Sequence, residues 1–121
     1  MRTIIAGSRE IVDIALLRTA ILKHQLTITS VISGTARGVD RLGEQWAKEN
    51  DIPITKYPAQ WDLHGKSAGY RRNIDMANVA EQVLILWNGS SVGTKHMVDI
   101  SRRLQLPLYI EYCQAIESGE S

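Results

Sequence analysis

Short apolar runs alternate with longer amphipathic segments along most of the chain. The short runs are rich in β-branched residues and predict five strands, at 3–6, 27–33, 52–57, 82–87 and 107–111. Between them, apolar residues recur at helical spacing and predict helices at 13–24, 39–49, 67–80 and 94–104. This alternation predicts right-handed βαβ crossovers and an α/β fold with a parallel sheet covered by helices on both faces.

The length of 121 residues allows one domain with one core. We assign residues 1–112 to a single Rossmann-like domain and residues 113–121 to a polar, flexible tail. The stretch 58–66 is the longest irregular segment, and Ser67 after it is expected to cap the third helix.

Composition narrows the classes of function. Hydrophobic residues make up 44% and charged residues 22% of the chain, which argues against a disordered or membrane protein. The net charge of +1 offers no broad basic field, so nucleic acid is not an expected partner. With the single cysteine Cys113 and a short apolar N-terminus, we expect a cytoplasmic protein without a leader or membrane anchor.

Three predicted strand ends carry glycine-rich turns that lead into helices. Such turns let backbone amides approach an anion, and each helix N-terminus adds unpaired N–H donors. Because the carboxyl ends of parallel strands share one edge, we expect the turns to meet there around a phosphate. The predicted ligand- and phosphate-binding residues are Gly7, Ser8, Arg9, Ser33, Gly34, Thr35, Ala36, Arg37, Asp40, Arg72, Asn88, Gly89, Ser91, Gly93 and Thr94.

Each of these residues also has a plain structural interpretation. A glycine-rich turn serves chain reversal alone in many proteins, and an exposed arginine is often only solvated. Asp40 in the first turn of a helix suits the helix dipole as well as it suits a ribose. Trp61, Tyr70 and Trp87 are candidates for stacking on a base, although each is also suited to the core edge.

Several better-known sites are not supported. The stretch 64–67 ends like a P-loop, but Gln60 stands where the leading glycine belongs. No G-x-G-x-x-G follows the first strand, and the histidines and Cys113 lack metal-ligand spacing. We therefore predict neither a metal site nor a cofactor.

Taken together, five segments resemble the SLOG superfamily, and within it the small YpsA-related branch. The superfamily groups a DNA-uptake protein family with the LOG nucleotide phosphoribohydrolases. The segments are IAGSR (5–9), SGTARGVDRLG (33–43), HGK (64–66), RNIDMA (72–77) and GTKHM (93–97). They lie in the right order over about residues 1–111.

The resemblance implies a Rossmann-like sheet of order 3-2-1-4-5 and a nucleotide-type ligand. Related proteins split the bond between a base and ribose 5′-phosphate, or sense NAD-derived signals such as cyclic ADP-ribose isomers. Many members dimerise, so a homodimer or higher homo-oligomer is expected. In the phosphoribohydrolases a glutamate of the motif G-G-x-G-T-x-x-E helps catalysis, but here Met97 occupies that position.

Methionine neither accepts a proton nor stabilises an oxocarbenium-like charge, so binding is favoured over catalysis. We expect a protein that senses or sequesters a phosphate-bearing, nucleotide-derived small molecule, such as an NAD-derived or cyclic ADP-ribose-type signal. A nucleotide hydrolase that cleaves an N-glycosidic bond or a cyclic nucleotide is the alternative, with Asp40, Asp62 or His64 as acid or base. A protein–protein or single-stranded DNA module is a third reading, and the near-neutral charge argues against DNA.

Overall fold

A five-stranded, all-parallel sheet of order β3-β2-β1-β4-β5 forms the centre of the protein. The computed structural model describes residues 1–113. The strands are β1 (Arg2–Gly7), β2 (Ser30–Ser33), β3 (Ile54–Lys56), β4 (Gln82–Trp87) and β5 (Leu108–Tyr112). The α/β class and the strand order expected from the resemblance are confirmed.

Helices cover both faces of this sheet, as the alternating pattern predicts. They are α1 (Ile14–Lys23), α2 (Val39–Glu49), α3 (Trp61–His64), α4 (Ala68–Val79) and α5 (Val92–Arg103), with a 3₁₀ turn at Gly65–Ser67. Successive residues of β1 point to opposite faces, so Ile4 and Ile5 enter different cores. Ile5 packs in the core with α1 and α2, whereas Ile4 packs in the core with α4 and α5.

Two predicted strands are longer than the strands in the structure. The pairing of β1 with β2 begins at Arg2 and Ser30, so residues 27–29 extend past the start of β1. The pairing of β2 with β3 likewise begins at Val31 and Ile54, which leaves residues 52–53 outside the ladder. In both cases one backbone amide–carbonyl bond joins the extra residues to the neighbouring chain, from the Thr29 amide to the Met1 carbonyl at 3.0 Å and from the Val31 amide to the Pro53 carbonyl at 2.9 Å.

The loop predicted at 58–66 is partly helical, because it contains α3 and the beginning of the 3₁₀ turn. Ser67 does not cap α4 with its side chain, which corrects the predicted cap. Its hydroxyl instead donates to the carbonyl of His64 and accepts from Arg71 Nε, each at 3.0 Å. These bonds tie the segment 61–67 to the first turn of α4.

The chain runs from β1 to β2 and β3 on one side, then crosses back to place β4 and β5 on the other side of β1, so strand order reverses at β1. In open parallel sheets this reversal opens a crevice beyond the strand ends, where ligands bind. Within residues 1–113 no helix has the length and apolar character needed to cross a membrane. Residues 114–121 of the predicted tail lie outside the described residues, and Cys113 donates its amide to the carbonyl of Trp87 at 2.8 Å.

Candidate functional site

Turns after β1, β2 and β4 come together around one crevice at the carboxyl edge of the sheet. Its inner part has a cavity volume of about 80 Å³ and its outer part about 320 Å³. Four residues line both parts, which makes the crevice continuous: Arg9, Gly34, Ala36 and Arg72. The inner part is also lined by Gly7 from the first turn and by Ser91, Gly93 and Thr94 from the third. The geometry required by the sequence prediction is therefore present.

Gly38 lets the first and second turns pack against each other. Its φ of 78° lies in the left-handed region that favours glycine. A Cβ at this position would overlap the carbonyl oxygen of Ser8 and lie 2.5 Å from the Cα of Arg9. The next amide, that of Val39, donates to the same Ser8 carbonyl at 3.3 Å. Sequence reasoning placed Gly38 in a motif but did not name it as a site residue.

Asp40 and Arg72 both line the inner crevice and influence each other's charge without forming an ion pair. Asp40 is 6% exposed and accepts a hydrogen bond from the Ala36 amide at 3.0 Å. Burial raises the pKa of Asp40 to about 6, against the lowering effects of that hydrogen bond and of the Arg72 charge. Burial also lowers the pKa of half-buried Arg72, which donates to the carbonyl of Gly34.

Asn73 holds the α4 side of the crevice together. Its Oδ1 accepts from Arg72 Nε at 3.1 Å, and its Nδ2 lies 3.4 Å from the Gly93 carbonyl and 3.2 Å from His96 Nδ1. Donation to His96 Nδ1 requires the neutral ring, and desolvation lowers the pKa of His96. Asn73 thus orients Arg72 and fixes the third turn. The position of Asn73 in the RNIDMA segment did not reveal this role.

Ser8 and Ser33 support the turns from inside the protein. Both are fully buried, and neither lines the crevice. Ser8 Oγ accepts from the Asn88 amide at 3.0 Å. Ser33 Oγ donates to Glu44 at 2.6 Å and accepts from the Thr35 amide at 3.0 Å. Sequence reasoning counted both hydroxyls as donors to phosphate, and it missed buried Glu44.

The third turn ends in a capped helix N-terminus. Ser91 Oγ accepts from the Thr94 amide at 3.3 Å and from the Thr94 hydroxyl at 2.9 Å. Asn88 accepts from the Ser90 amide at 2.9 Å, and Gly89 is exposed with φ of 88°. Asn88 and Gly89 do not line the crevice; Asn88 instead borders a further cavity together with Arg9, Ser91 and Gly93.

Two further cations border the crevice without an acidic partner. Arg9 and Arg37 are both exposed, and neither forms an ion pair with another residue of 1–113. Arg9 lines the inner and the outer part, whereas Arg37 lines the outer part beside Thr35. An anion in the crevice would therefore meet two cationic side chains that form no ion pair with a carboxylate of residues 1–113.

The three aromatic candidates are not brought together. Trp61 is 54% exposed and lines the outer part of the crevice. Tyr70 packs edge-on against His96, with ring centroids 4.4 Å apart. Trp87 stacks on Tyr112 at 5.7 Å. Only Trp61, of these three, is positioned to meet a ligand in the crevice.

Met97 lies in the wall of the inner crevice and is 2% exposed. A glutamate in its place would face the crevice, so the departure from the phosphoribohydrolase motif falls at a position that matters. Asp99 instead pairs with Lys95 at 2.9 Å on the surface, and Asp62 is exposed on α3. His64 lines a separate cavity. No cluster of three or more metal-ligating side chains occurs within residues 1–113.

Two comparisons with known proteins found a similarity to this chain. The family model described as "YspA, cpYpsA-related SLOG family" matches residues 1–64. The chain is 33% identical over 84 residues to the Gene 61 protein of Mycobacterium phage D29, which covers 64% of this chain and 67% of that protein. No solved structure matches the chain.

Proposed function

Because the chain belongs to the YspA, cpYpsA-related SLOG family, we propose that it senses or sequesters a phosphate-bearing, nucleotide-derived small molecule. The crevice at the carboxyl edge of the sheet is its binding site. Membership in the family is consistent with a nucleotide-related function. An NAD-derived or cyclic ADP-ribose-type signal is the finer form of the proposal.

The observation that supports this function best is the meeting of three turns that are distant in sequence. Each turn ends a different parallel strand, and all three line one crevice. Two of them lead into α2 and α5, and the Gly93 amide in the first turn of α5 has no partner within its own helix. Arg9 adds a cation that is free of an ion pair within residues 1–113. Phosphate recognition uses these same elements.

Different regions of the crevice also suit different parts of a nucleotide. Arg9 and the N-terminus of α5 suit the phosphate, and exposed Trp61 offers a face for the base in the outer part. Asp40 lies between them in our arrangement, where its carboxylate accepts hydrogen bonds from ribose hydroxyls. The outer part, at about 320 Å³, falls in the size range of small-molecule pockets.

Mass spectrometry of small molecules released by heating the purified protein tests the proposal. We expect a phosphate-bearing nucleoside derivative at a stoichiometry that falls in Arg9→Ala. Lys95→Ala, which removes a surface cation paired with Asp99, is the matched control and should retain the ligand. Failure to recover or titrate any nucleotide, with AMP, ADP-ribose and cyclic ADP-ribose as probes, would contradict the proposal.

A second candidate function is nucleotide hydrolysis, and the position of Asp40 favours it. The carboxyl lies in the crevice, and its pKa of about 6 keeps a protonated fraction near neutral pH. Such a group can give or take a proton during cleavage of an N-glycosidic bond. Free base or opened product from the same three probes would establish this activity, provided that Asp40→Asn abolishes the product and retains binding.

A further inference from the structure

A second cavity of about 200 Å³ lies beyond the end of β3, at the same edge of the sheet as the crevice. We call it the loop pocket. It is lined by Lys56, Tyr57, Pro58, Gln60, His64, Ala68, Arg71, Arg72 and Asp75. The nucleotide site described above uses Arg72 alone from this set.

Neighbouring residues line the loop pocket and the crevice. Along the loop after β3, Pro58 and Gln60 line the loop pocket, whereas Ala59 and Trp61 line the crevice. Arg72 lines both cavities. Arg72 is therefore accessible from both cavities.

The lining of the loop pocket is cationic. Lys56, Arg71 and Arg72 contribute three positive charges, against the single acid Asp75. Arg71 makes one side-chain bond, from Nε to Ser67 Oγ, and forms no ion pair with any residue of 1–113. Lys56 Nζ lies 3.9 Å from Glu44, at the limit of an ion pair. The two Nη groups of Arg71 thus remain for an anion, and Lys56 Nζ is held only by this long contact.

We propose that the loop pocket is a second anion subsite that binds a phosphate group through Arg71 and Lys56. The proposal rests on the proposed function in one respect, since both phosphates belong to the same nucleotide. The ligand class is then a nucleotide with two phosphates on different parts of the molecule, one held in the crevice and the other beyond Arg72. Arg72 lies between the two groups and faces both.

Titration with inorganic phosphate tests the subsite without knowledge of the ligand. Backbone-amide chemical shifts report on each cavity separately, through residues 56, 57, 60 and 71 for the loop pocket and residues 35–37 and 93 for the crevice. Sodium chloride at equal ionic strength controls for screening. We expect the combined variant Lys56→Gln/Arg71→Gln to weaken phosphate binding in the loop pocket about tenfold or more and to leave the crevice unchanged.

Lys66→Gln is the matched control, because Lys66 is an exposed cation of the neighbouring 3₁₀ turn and does not line the loop pocket. It should change neither set of shifts. Absence of phosphate-specific shifts around the loop pocket, or shifts that persist in the combined variant, would overturn the subsite. Shifts in the loop pocket with none in the crevice would count against the proposed function instead.

Affinities for AMP and for adenosine 2′,5′- and 3′,5′-bisphosphate test the ligand class. We expect at least one bisphosphate to bind about tenfold more tightly than AMP, and this advantage to vanish in the combined variant but not in Lys66→Gln. Equal affinities for all three nucleotides would overturn the two-phosphate class while leaving the crevice site intact. Failure of all three to bind would count against the nucleotide function.

Discussion

At the scale of single residues, Asp40 is governed by its burial. The ionised carboxylate loses hydration in the folded protein. This destabilises it by more than the Ala36 amide and the charges of Arg72 and Arg9 stabilise it. Its pKa therefore rises from 3.8 to about 6. The stabilisation associated with the protonated form is fully present below pH 3.8 and is lost as the pH rises through 6.

Asp40→Asn should therefore stabilise the protein at high pH and not at low pH. The amide cannot ionise, and its oxygen can still accept from Ala36. A shift of roughly two pKa units predicts a gain of about 3 kcal/mol in unfolding free energy at pH 8, falling toward zero near pH 4. Urea unfolding of both proteins across this range measures the effect. A difference independent of pH would show that Asp40 is not the group concerned.

Arg9 and Arg37 differ in how much of the crevice they line, and this predicts different effects on binding. Arg9 lines both parts, whereas Arg37 lines the outer part alone. Arg9→Ala should weaken nucleotide binding by ~1.5–3 kcal/mol, and Arg37→Ala should cost less. Calorimetric titration with the nucleotide recovered from the protein gives both values. Losses within ±0.5 kcal/mol for both would identify them as ordinary surface residues.

Residue types and their order along the chain pointed to Gly34, Arg9 and Arg72, and the family resemblance pointed to Met97. They did not predict Asn73 or Glu44, because the importance of these side chains lies in partners far away in sequence. Asn73 bonds across to the turn at Gly93, 20 residues on. A polar residue with such a partner looks in the sequence like any other polar helical residue.

At the scale of elements, the N-terminus of α5 and the turn after β2 contain glycines with different surroundings. A Cβ on Gly34 would lie 2.7 Å from Arg72 Nη1 and 2.8 Å from Asp40 Oδ2. A Cβ on Gly93 would meet nothing within 4 Å. Gly34 therefore leaves room for the side chains of Arg72 and Asp40, whereas Gly93 leaves room in the crevice itself.

Alanine at these two glycines should separate the two effects. Gly93→Ala lies in the first turn of α5, so stability should stay within ±0.5 kcal/mol or rise slightly, while ligand binding weakens. Gly34→Ala should also weaken binding, but with displacement of Arg72 and a stability loss of ~1 kcal/mol or more. Arginine Nε–Hε NMR signals and urea unfolding distinguish them. An undisturbed Arg72 signal in Gly34→Ala would contradict this explanation.

Periodicity located each long helix and each strand, but it placed the strand ends less well. The ends of β2 and β3 depend on where the neighbouring strand starts, which is a property of the sheet and not of the segment. The short helix α3 was not predicted at all. Four residues cannot show helical periodicity, and α3 exposes its apolar residues Trp61 and Leu63.

At the scale of the whole molecule, the strand order follows from the family resemblance together with the alternation of strands and helices. Periodicity alone leaves open which strands are neighbours. Homo-oligomerisation stays a prediction of the resemblance, and light scattering of the purified protein would measure it. The position of the crevice at the reversal of strand order was predictable once the parallel sheet was accepted.

Gly7 joins the two halves of this sheet, and its substitution gives the sharpest test of the architecture. It is the last residue of β1, between β4 on one side and α2 on the other. A Cβ here would overlap the carbonyl oxygen of Leu86 and lie 2.9 Å from Val39 Cγ2. Because the Leu86 carbonyl accepts from the Ser8 amide at 3.0 Å, neither strand can move away without losing that bond.

Gly7→Ala should therefore cost about 3 kcal/mol or more in unfolding free energy, measured by urea titration. Gly65→Ala is the control, since its φ of 57° strains an alanine by ~1 kcal/mol while nothing lies within 4 Å of the added Cβ. Similar losses in the two variants would mean that β1 and β4 can separate without penalty. In that case the part of the crevice that Gly7 lines would be too deformable to hold the three turns around one ligand.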